Sequence, residues 1–384
     1  MLLAASYLPD PWAMLAGAFL LCTVLNVVFY LLGRLPQPDC APLPQGQDAP
    51  PVAGATVLIC ARNEAPHLRR HLPQVLGQVC SFPFEVLVVN DASTDDTAAV
   101  LLDLSSRYPH MRVLHVQHKT HSGKKQALTL GAAAAHYGLI VLTDADCQPQ
   151  SEHWLQRMAE PLQAGQGLEV VLGYGGYRTA GRRSMLHRWI QFETMHTAWA
   201  YFSCAARGMP YMGVGRNLAW TKQLFQRSGG VQAHWSLASG DDDLFVNAAA
   251  TPRNVALTLC PEAFTWSEPK HSWGAWWQQK RRHLQAGGRY RWVHRLMLGA
   301  LAFTQGAHYG GLALLSLGPW AGMAWALWAL RILLLLYAWR APLKAFGEKP
   351  MLPLVPLFDA GLALYWAGAA GHLAFKWRAG QQRW

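Results

Sequence analysis

Charge is scarce in this chain. Asp, Glu, Lys and Arg together make up 14% of its 384 residues, against roughly 25% in a soluble domain. With 52% hydrophobic residues and 18 tryptophans, that deficit argues against a fully water-solvated protein and implies a chain partly solvated by lipid. Paired cysteine spacing is lacking too. Cys22, Cys40, Cys60, Cys80, Cys147, Cys204 and Cys260 stand singly, with no CxxC or metal-ligand spacing. Read as reduced thiols, most of them small buried hydrophobes, they favour a cytosolic location for the soluble part. Internal repeats, low-complexity tracts and basic-aromatic nucleic-acid motifs are absent. The formal charge of +11 therefore suits an anionic membrane surface or a phosphate-bearing substrate, and no nucleic acid.

The length suggests about two to three domains, and composition divides the chain into four stretches. Residues 1–34 hold the uncharged run 11–33, long enough for a helix to cross a bilayer, which takes about 20 residues. Arg34 follows at once and favours the cytoplasm for what comes next. A cleaved signal peptide fits less well, because no basic segment precedes the run. Residues 35–54, rich in Pro, Gln and Gly, read as a linker. Residues 55–290 read as one α/β domain. "ATVLIC", "FEVLVV", "RVLHV", "GLIVL" and "LEVVLG" are strand candidates. Helical stretches lie between them, which implies a mostly parallel sheet with ligands beyond the carboxyl ends of its strands. Residues 291–384 form a membrane region with apolar runs at 296–317, 320–338 and about 353–375. Its flanks carry Arg291, Arg295, Arg340, Lys344 and Lys349, and its tail Lys376, Arg378 and Arg383. Three crossings here would put the basic tail on the far side, against the positive-inside rule, unless one run is only interfacial. Two to three crossings are expected. Arg331, inside an apolar run, is expensive there; it either snorkels or pairs with Asp359.

Three acidic turns carry the chemistry. In "VVNDASTDDT" Asp91 ends a strand, where its carboxylate can hold a nucleobase or ribose, while Ser93 to Asp96 suit turn and capping duties. Asp144 and Asp146 end the strand "GLIVL" one residue apart. Two carboxylates so close repel unless a cation relieves them, and Mg²⁺ typically takes one or two carboxylates plus phosphate oxygens. In "ASGDDDLF" three carboxylates precede a helix. A helix dipole explains acidic residues there, but three exceed what capping needs, and one can serve as a general base. A fourth cluster, "WGAWWQQKRRHLQ", suits a membrane-surface helix, with Gln279 and Arg282 able to face a cleft and hold a phosphate or an acceptor.

Taken in order, these motifs resemble family 2 glycosyltransferases of the membrane-bound type. The resemblance covers roughly residues 54–290. It implies a GT-A fold, a Rossmann-like nucleotide-diphospho-sugar transferase domain in the cytosol, joined to transmembrane helices. "VLICARNEA" resembles the family's nucleotide-contacting loop, implying donor contacts from Ala61, Arg62 and Glu64. Asp91 would hold the nucleoside. "GKKQALTLG" is similar to the Gly-Lys-x-x-Ala-Leu segment and brings in Lys124. "DAD" matches the metal motif, so Asp144 would contact the nucleotide sugar and Asp146 a Mg²⁺ or Mn²⁺ ion. "GVGRNLAW" resembles the acceptor-side loop, with Gly215, Arg216 and Asn217. "SGDDDL" stands where a Glu-Asp element is usual; counting back from Leu244 gives Asp241 as base, with Asp242 next. "QKRRH" is similar to Gln-x-x-Arg-Trp at Gln279 and Arg282, with His283 in place of Trp.

The implied activity is inverting transfer of a sugar from a nucleotide diphosphate, UDP by expectation, to a lipid or saccharide acceptor at the cell membrane. Cell-envelope polysaccharide or glycolipid synthesis is the setting. A metal-dependent nucleotidyltransferase and an inactive membrane scaffold of the same fold are the alternatives. The "DDD" and "QKRRH" elements favour sugar transfer.

Overall fold

The computed structural model describes residues 10–33, 35–37, 40, 54–120, 123–163, 167–179, 184–237 and 239–381, with side chains to residue 372. Most of the linker and the flanking Arg34 and Arg383 lie outside them. Two compact units result: Met1–Arg34, Trp292–Lys344 and Glu348–Trp384 form one, and Leu35–Arg291 with Ala345–Gly347 the other.

Helix α1 (Pro11–Leu32) belongs to the first unit. The second begins with strict alternation: β1 (Ala55–Ala61), α2 (Ala65–Leu76), β2 (Phe84–Asp91), α3 (Thr97–Arg107), β3 (Met111–Val116), α4 (Lys125–Ala134) and β4 (Leu139–Asp144). There follow β5 (Gln148–Pro149), α5 (Trp154–Gln163), β6 (Val170–Leu172), β7 (Gly175–Tyr177), α6 (Met185–Ala205) and β8 (Leu218–Thr221). The unit continues with α7 (Lys222–Arg227), α8 (Asp243–Ala249), β9 (Val255–Leu257), β10 (Thr265–Ser267) and α9 (Trp273–Gly287).

The strands form a seven-stranded sheet in the order β3-β2-β1-β4-β8-β6-β9. β1 pairs in parallel with both β2 and β4, and their Val, Leu and Ile side chains are buried on both faces, as sheets covered by helices require. β8 runs antiparallel to β4 and β6, so the sheet is mixed where the sequence implied mostly parallel. A smaller sheet, β5-β10-β7, stands beside it. Because β1, β2 and β4 are parallel neighbours, their carboxyl ends put Ala61, Asp91 and Asp144 along one edge.

The expectation of reduced cysteines needs correcting. Cys40 is joined to Cys260 by a disulfide across 220 residues of sequence, while Cys22, Cys60, Cys80, Cys147 and Cys204 are free. Spacing carries no sign of a bridge that long, and reduced thiols no longer support a cytosolic location.

The first unit adds α10 (Trp292–Leu315), α11 (Ala321–Ala345) and α12 (Val355–Gln381) to α1. Among the described residues, three helical segments are long and apolar enough to cross a membrane: Pro11–Leu32, Ala321–Ala345 and Lys349–His372. α10, built on the apolar run 296–317, is not among them. It carries His294, Thr304, Gln305 and His308, all buried, and its polarity serves a network inside the unit. Arg331 does not snorkel. It is fully buried, with its Nη1 donating to Asp359 Oδ2 at 2.6 Å and its Nη2 to Asn26 Oδ1 at 2.7 Å. Gln305 and Tyr309 donate to the same Asp359 carboxylate at 3.0 and 2.6 Å.

Candidate active site

The site is assembled at the carboxyl ends of β1, β2 and β4. The turn after β1 is tied to the turn after β2. Asn63 adopts a left-handed backbone, φ 57°, which asparagine tolerates better than most residues. Its Oδ1 accepts from Thr94 N–H at 2.8 Å, and its own N–H donates to Ser93 Oγ at 3.0 Å. Glu64 N–H donates to Thr97 Oγ1 at 3.0 Å, and Thr97 N–H to Asp95 Oδ1 at 3.0 Å. Ser93 to Asp95 therefore organise turns, the role that turn chemistry suggested. Asn63 was missed; the only local cue was an Asn after a strand.

Asp91 ends β2 almost wholly buried and ion-paired with Lys119, another residue sequence reasoning missed. Its Oδ1 is buried with no hydrogen-bond partner among the described residues. A buried acceptor left open is costly, so this oxygen is set up for an N–H or O–H of a ligand. Glu64 turns instead to His67, with Oε2 and Nδ1 2.6 Å apart. Ala61 is buried and Arg62 exposed.

Lys124, just before α4, is the centre of the cluster. Its Nζ lies 2.8 Å from Asp144 Oδ1 and 3.1 Å from Asp241 Oδ2. Burial alone would depress this ammonium, but Asp144, Asp241 and Asp242 outweigh it and hold the proton well above the usual range. Burial likewise pushes Asp144 up, and Lys124 more than reverses it, leaving the carboxyl below its ordinary value. Asp241 comes out the other way. Burial dominates, Asp242 adds repulsion, and Lys124 compensates only in part, so its carboxyl is raised. A raised carboxylate is the better proton acceptor for a hydroxyl.

Asp242 has a scaffold task. Its Oδ2 accepts from Gly215 N–H at 2.5 Å and its Oδ1 from Asp243 N–H at 2.8 Å, capping α8. Gly215 cannot carry a side chain without disturbing this: a Cβ there would stand 2.9 Å from Lys124 Nζ and 3.1 Å from Asp242 Oδ2. Asp243 is buried and accepts from Tyr290 O–H at 2.8 Å.

Asn217 does not face the cleft. It is fully buried, its Nδ2 donating to Tyr174 O and Ala263 O at 2.9 and 2.7 Å and its Oδ1 accepting from Trp154 Nε1 at 3.0 Å. With its amide so committed, it joins the two sheets and has nothing left for an acceptor. Gln279 reaches Tyr177 Oη at 3.5 Å. Arg282 offers its backbone carbonyl to Ser239 Oγ at 2.8 Å while its side chain is exposed. The guanidinium makes no ion pair with Asp144 or Asp146.

The site also offers a group of ligand atoms for a divalent cation. Asp144, Asp146 and Cys147 each offer a ligand atom, all within 4.8 Å of one another. Asp144 already has an ammonium, whereas Asp146 has no ion-pair partner among the described residues. An unpaired carboxylate beside a paired one fits a hard cation that brings its remaining oxygen ligands with a phosphate.

A glycosyl transferase family 2 model matches residues 56–221, and a glycosyl transferase family group 2 model matches residues 139–343, more than half of the chain. The probable glycosyltransferase YdaM of Bacillus subtilis (strain 168) is 25% identical over 239 residues, 59% of this chain and 53% of the relative. The poly-beta-1,6-N-acetyl-D-glucosamine synthase of Staphylococcus epidermidis is 24% identical over 238 residues, 62% of this chain and 55% of the relative. The chain thus spans about half the length of these curated relatives. Among solved structures, the mannosyltransferase PcManGT from Pyrobaculum calidifontis, in complex with GDP-Man and Mn2+, superposes with a TM-score of 0.57 at 19% identity. The match covers 92% of this chain and 98% of that one, and establishes a shared fold.

Proposed function

The chain belongs to the family 2 glycosyltransferases, with a GT-A-like fold, and on that premise we propose that it transfers a sugar from a nucleoside diphosphate donor, a UDP-sugar, to a lipid or saccharide acceptor at a membrane. One observation carries the reading. A single ammonium, Lys124, holds Asp144 at 2.8 Å and Asp241 at 3.1 Å. The carboxylates suited to the donor's phosphate end and the carboxylate suited to the acceptor's proton therefore meet within one side chain's reach.

In this scheme Asp241 takes the proton of the acceptor hydroxyl as its oxygen attacks the anomeric carbon. The new C–O bond forms as the bond to the phosphate oxygen breaks in line, and that electron pair leaves with the nucleoside diphosphate, inverting the centre. Asp91, with Oδ1 open, takes the nucleoside. Asp146 and Asp144 would hold a Mg²⁺ or Mn²⁺ ion, which when bound supplies positive charge to the diphosphate. Lys124 keeps the two acidic groups from repelling one another before substrate arrives. Arg291 and Arg295, where this unit's chain passes into the membrane-type unit, support an orientation with this unit in the cytoplasm.

The test is nucleotide release from a panel of UDP- and GDP-sugars by the full chain in detergent with Mn²⁺ and a membrane lipid extract. Asp241→Asn is expected to lose about 10²–10⁴-fold in turnover, the usual contribution of a general base, while binding nucleoside diphosphate as the wild type does. Full turnover in this variant rejects Asp241 as base. No release from any sugar nucleotide rejects the transfer itself.

A further inference from the structure

Among the described residues, the guanidinium of Arg216 in the site has no carboxylate at ion-pair distance. The backbone of Arg216 is pinned beside the acidic strand end, its carbonyl accepting from Thr143 Oγ1 at 3.0 Å and from Thr265 Oγ1 at 3.1 Å. Thr143 is the residue before Asp144, so this fixes Arg216 next to the Asp144–Asp146 pair. Its guanidinium carbon lies over the Tyr177 ring, 4.3 Å from the centroid, and Nη1 donates weakly to Gly176 O at 3.4 Å. The stem fits because residue 175 is glycine: a Cβ there would stand 3.1 Å from Arg216 Cβ. Asp144 and Asp146 act on this guanidinium electrostatically, yet among the described residues no carboxylate comes within ion-pair distance of it.

That is an unusual state for a half-buried arginine. Desolvating a cation is costly unless a partner compensates. Tyr177 repays part through its ring face. The five N–H donors of a guanidinium remain largely unspent, in a fork that matches phosphate oxygens. The other cation of the cluster, Lys124, is already committed to two carboxylates, and Arg282 is exposed.

We propose that Arg216 binds the diphosphate of the sugar-nucleotide donor and stabilises the charge that gathers there as the nucleoside diphosphate leaves. This rests on the transfer reading above and moves Arg216 from the acceptor side to the donor side of the cleft. The shared chemistry is a phosphate, and a phosphorylated acceptor lipid is the other possible source.

The test measures the affinity of the full chain in detergent, with Mn²⁺, for UDP and GDP and for uridine and guanosine. Turnover is followed against donor and against acceptor concentration. Removing a charge-assisted hydrogen-bond pair is worth about 1.5–3 kcal/mol, so Arg216→Gln is expected to weaken nucleoside diphosphate binding about 10- to 100-fold. Nucleoside affinity is expected to hold. Arg216→Lys keeps the charge and stem and is expected to lose less, which guards against reading a folding defect as a binding one. Unchanged diphosphate affinity in Arg216→Gln overturns the proposal, as does an equal loss for nucleoside and diphosphate. An effect confined to the KM for acceptor assigns the guanidinium to a lipid phosphate and overturns it too. The parent reading fails separately, as wild-type protein that binds a nucleoside diphosphate but releases none from any sugar donor.

Discussion

Three consecutive aspartates have three different fates, and the difference lies in what each carboxylate meets. Asp241 meets an ammonium, Asp242 two backbone N–H groups and Asp243 a tyrosine hydroxyl. Asp243 is the one with a measurable consequence outside catalysis. Burial first, and the Asp242 carboxylate next, push it up to about 7, against the bond from Tyr290. Its folded value exceeds its ordinary value of 3.8, so between about pH 4 and 7 the native state keeps a proton that the unfolded chain has released. The stability this proton contributes is fully present below that window and is lost as pH rises through it. The melting temperature of the detergent-solubilised protein is therefore expected to fall on going from about pH 5 to 8, and Asp243→Asn to flatten the fall. An unchanged slope in the variant would mean that the native state does not hold Asp243 protonated.

At the level of elements, the working edge of the sheet depends on turns that stabilise one another. The turn after β1 is held by groups from the turn after β2, with Asn63 as the joint. Asn63→Gly keeps the left-handed backbone available but drops the bond to Thr94 N–H, a loss of about 1 kcal/mol. Asn63→Ala drops the bond and adds a left-handed penalty of roughly 1–2 kcal/mol. Thermal melting is expected to rank wild type above Asn63→Gly and Asn63→Gly above Asn63→Ala. Equal melting of the two variants would remove the backbone from the account.

For the molecule as a whole, the membrane-type unit is held by charge where apolar packing alone was available. Arg331 on α11 and Asp359 on α12 are fully buried and paired, Arg331 also donating to Asn26 of α1 and Asp359 accepting from Gln305 of α10, so all four helices contribute to one polar knot. Leaving either charge without the other typically costs about 3–5 kcal/mol, whereas replacing both by apolar groups can be nearly neutral. Arg331→Met and Asp359→Leu are each expected to lower the melting temperature in detergent by many degrees. The double variant is expected to lose much less than the sum. Additive losses would show that the two side chains act independently.

The sequence by itself determined β1, β2, β3, β4 and β6, the helices α2, α3 and α4 between them, the acidic residues at strand ends and the apolar helices, but not β8 inside the sheet or β9 at its edge. These are local patterns, written by how each residue partitions between water, core and lipid along a few turns of chain. Asp91 and Asp144 were legible for the same reason, since carboxylates at the ends of greasy runs stand out without coordinates, whereas Asp241 was reached by its place in the element that resembles the family's Glu-Asp pair. Only the tertiary structure decided which of them share Lys124, that Asn217 is spent on the scaffold, that the Arg216 guanidinium sits over Tyr177, and that Cys40 meets Cys260. Each of those facts is a pairing between residues far apart in sequence. A pairing depends on where the packed core brings two side chains, and neither residue's own neighbourhood encodes that distance.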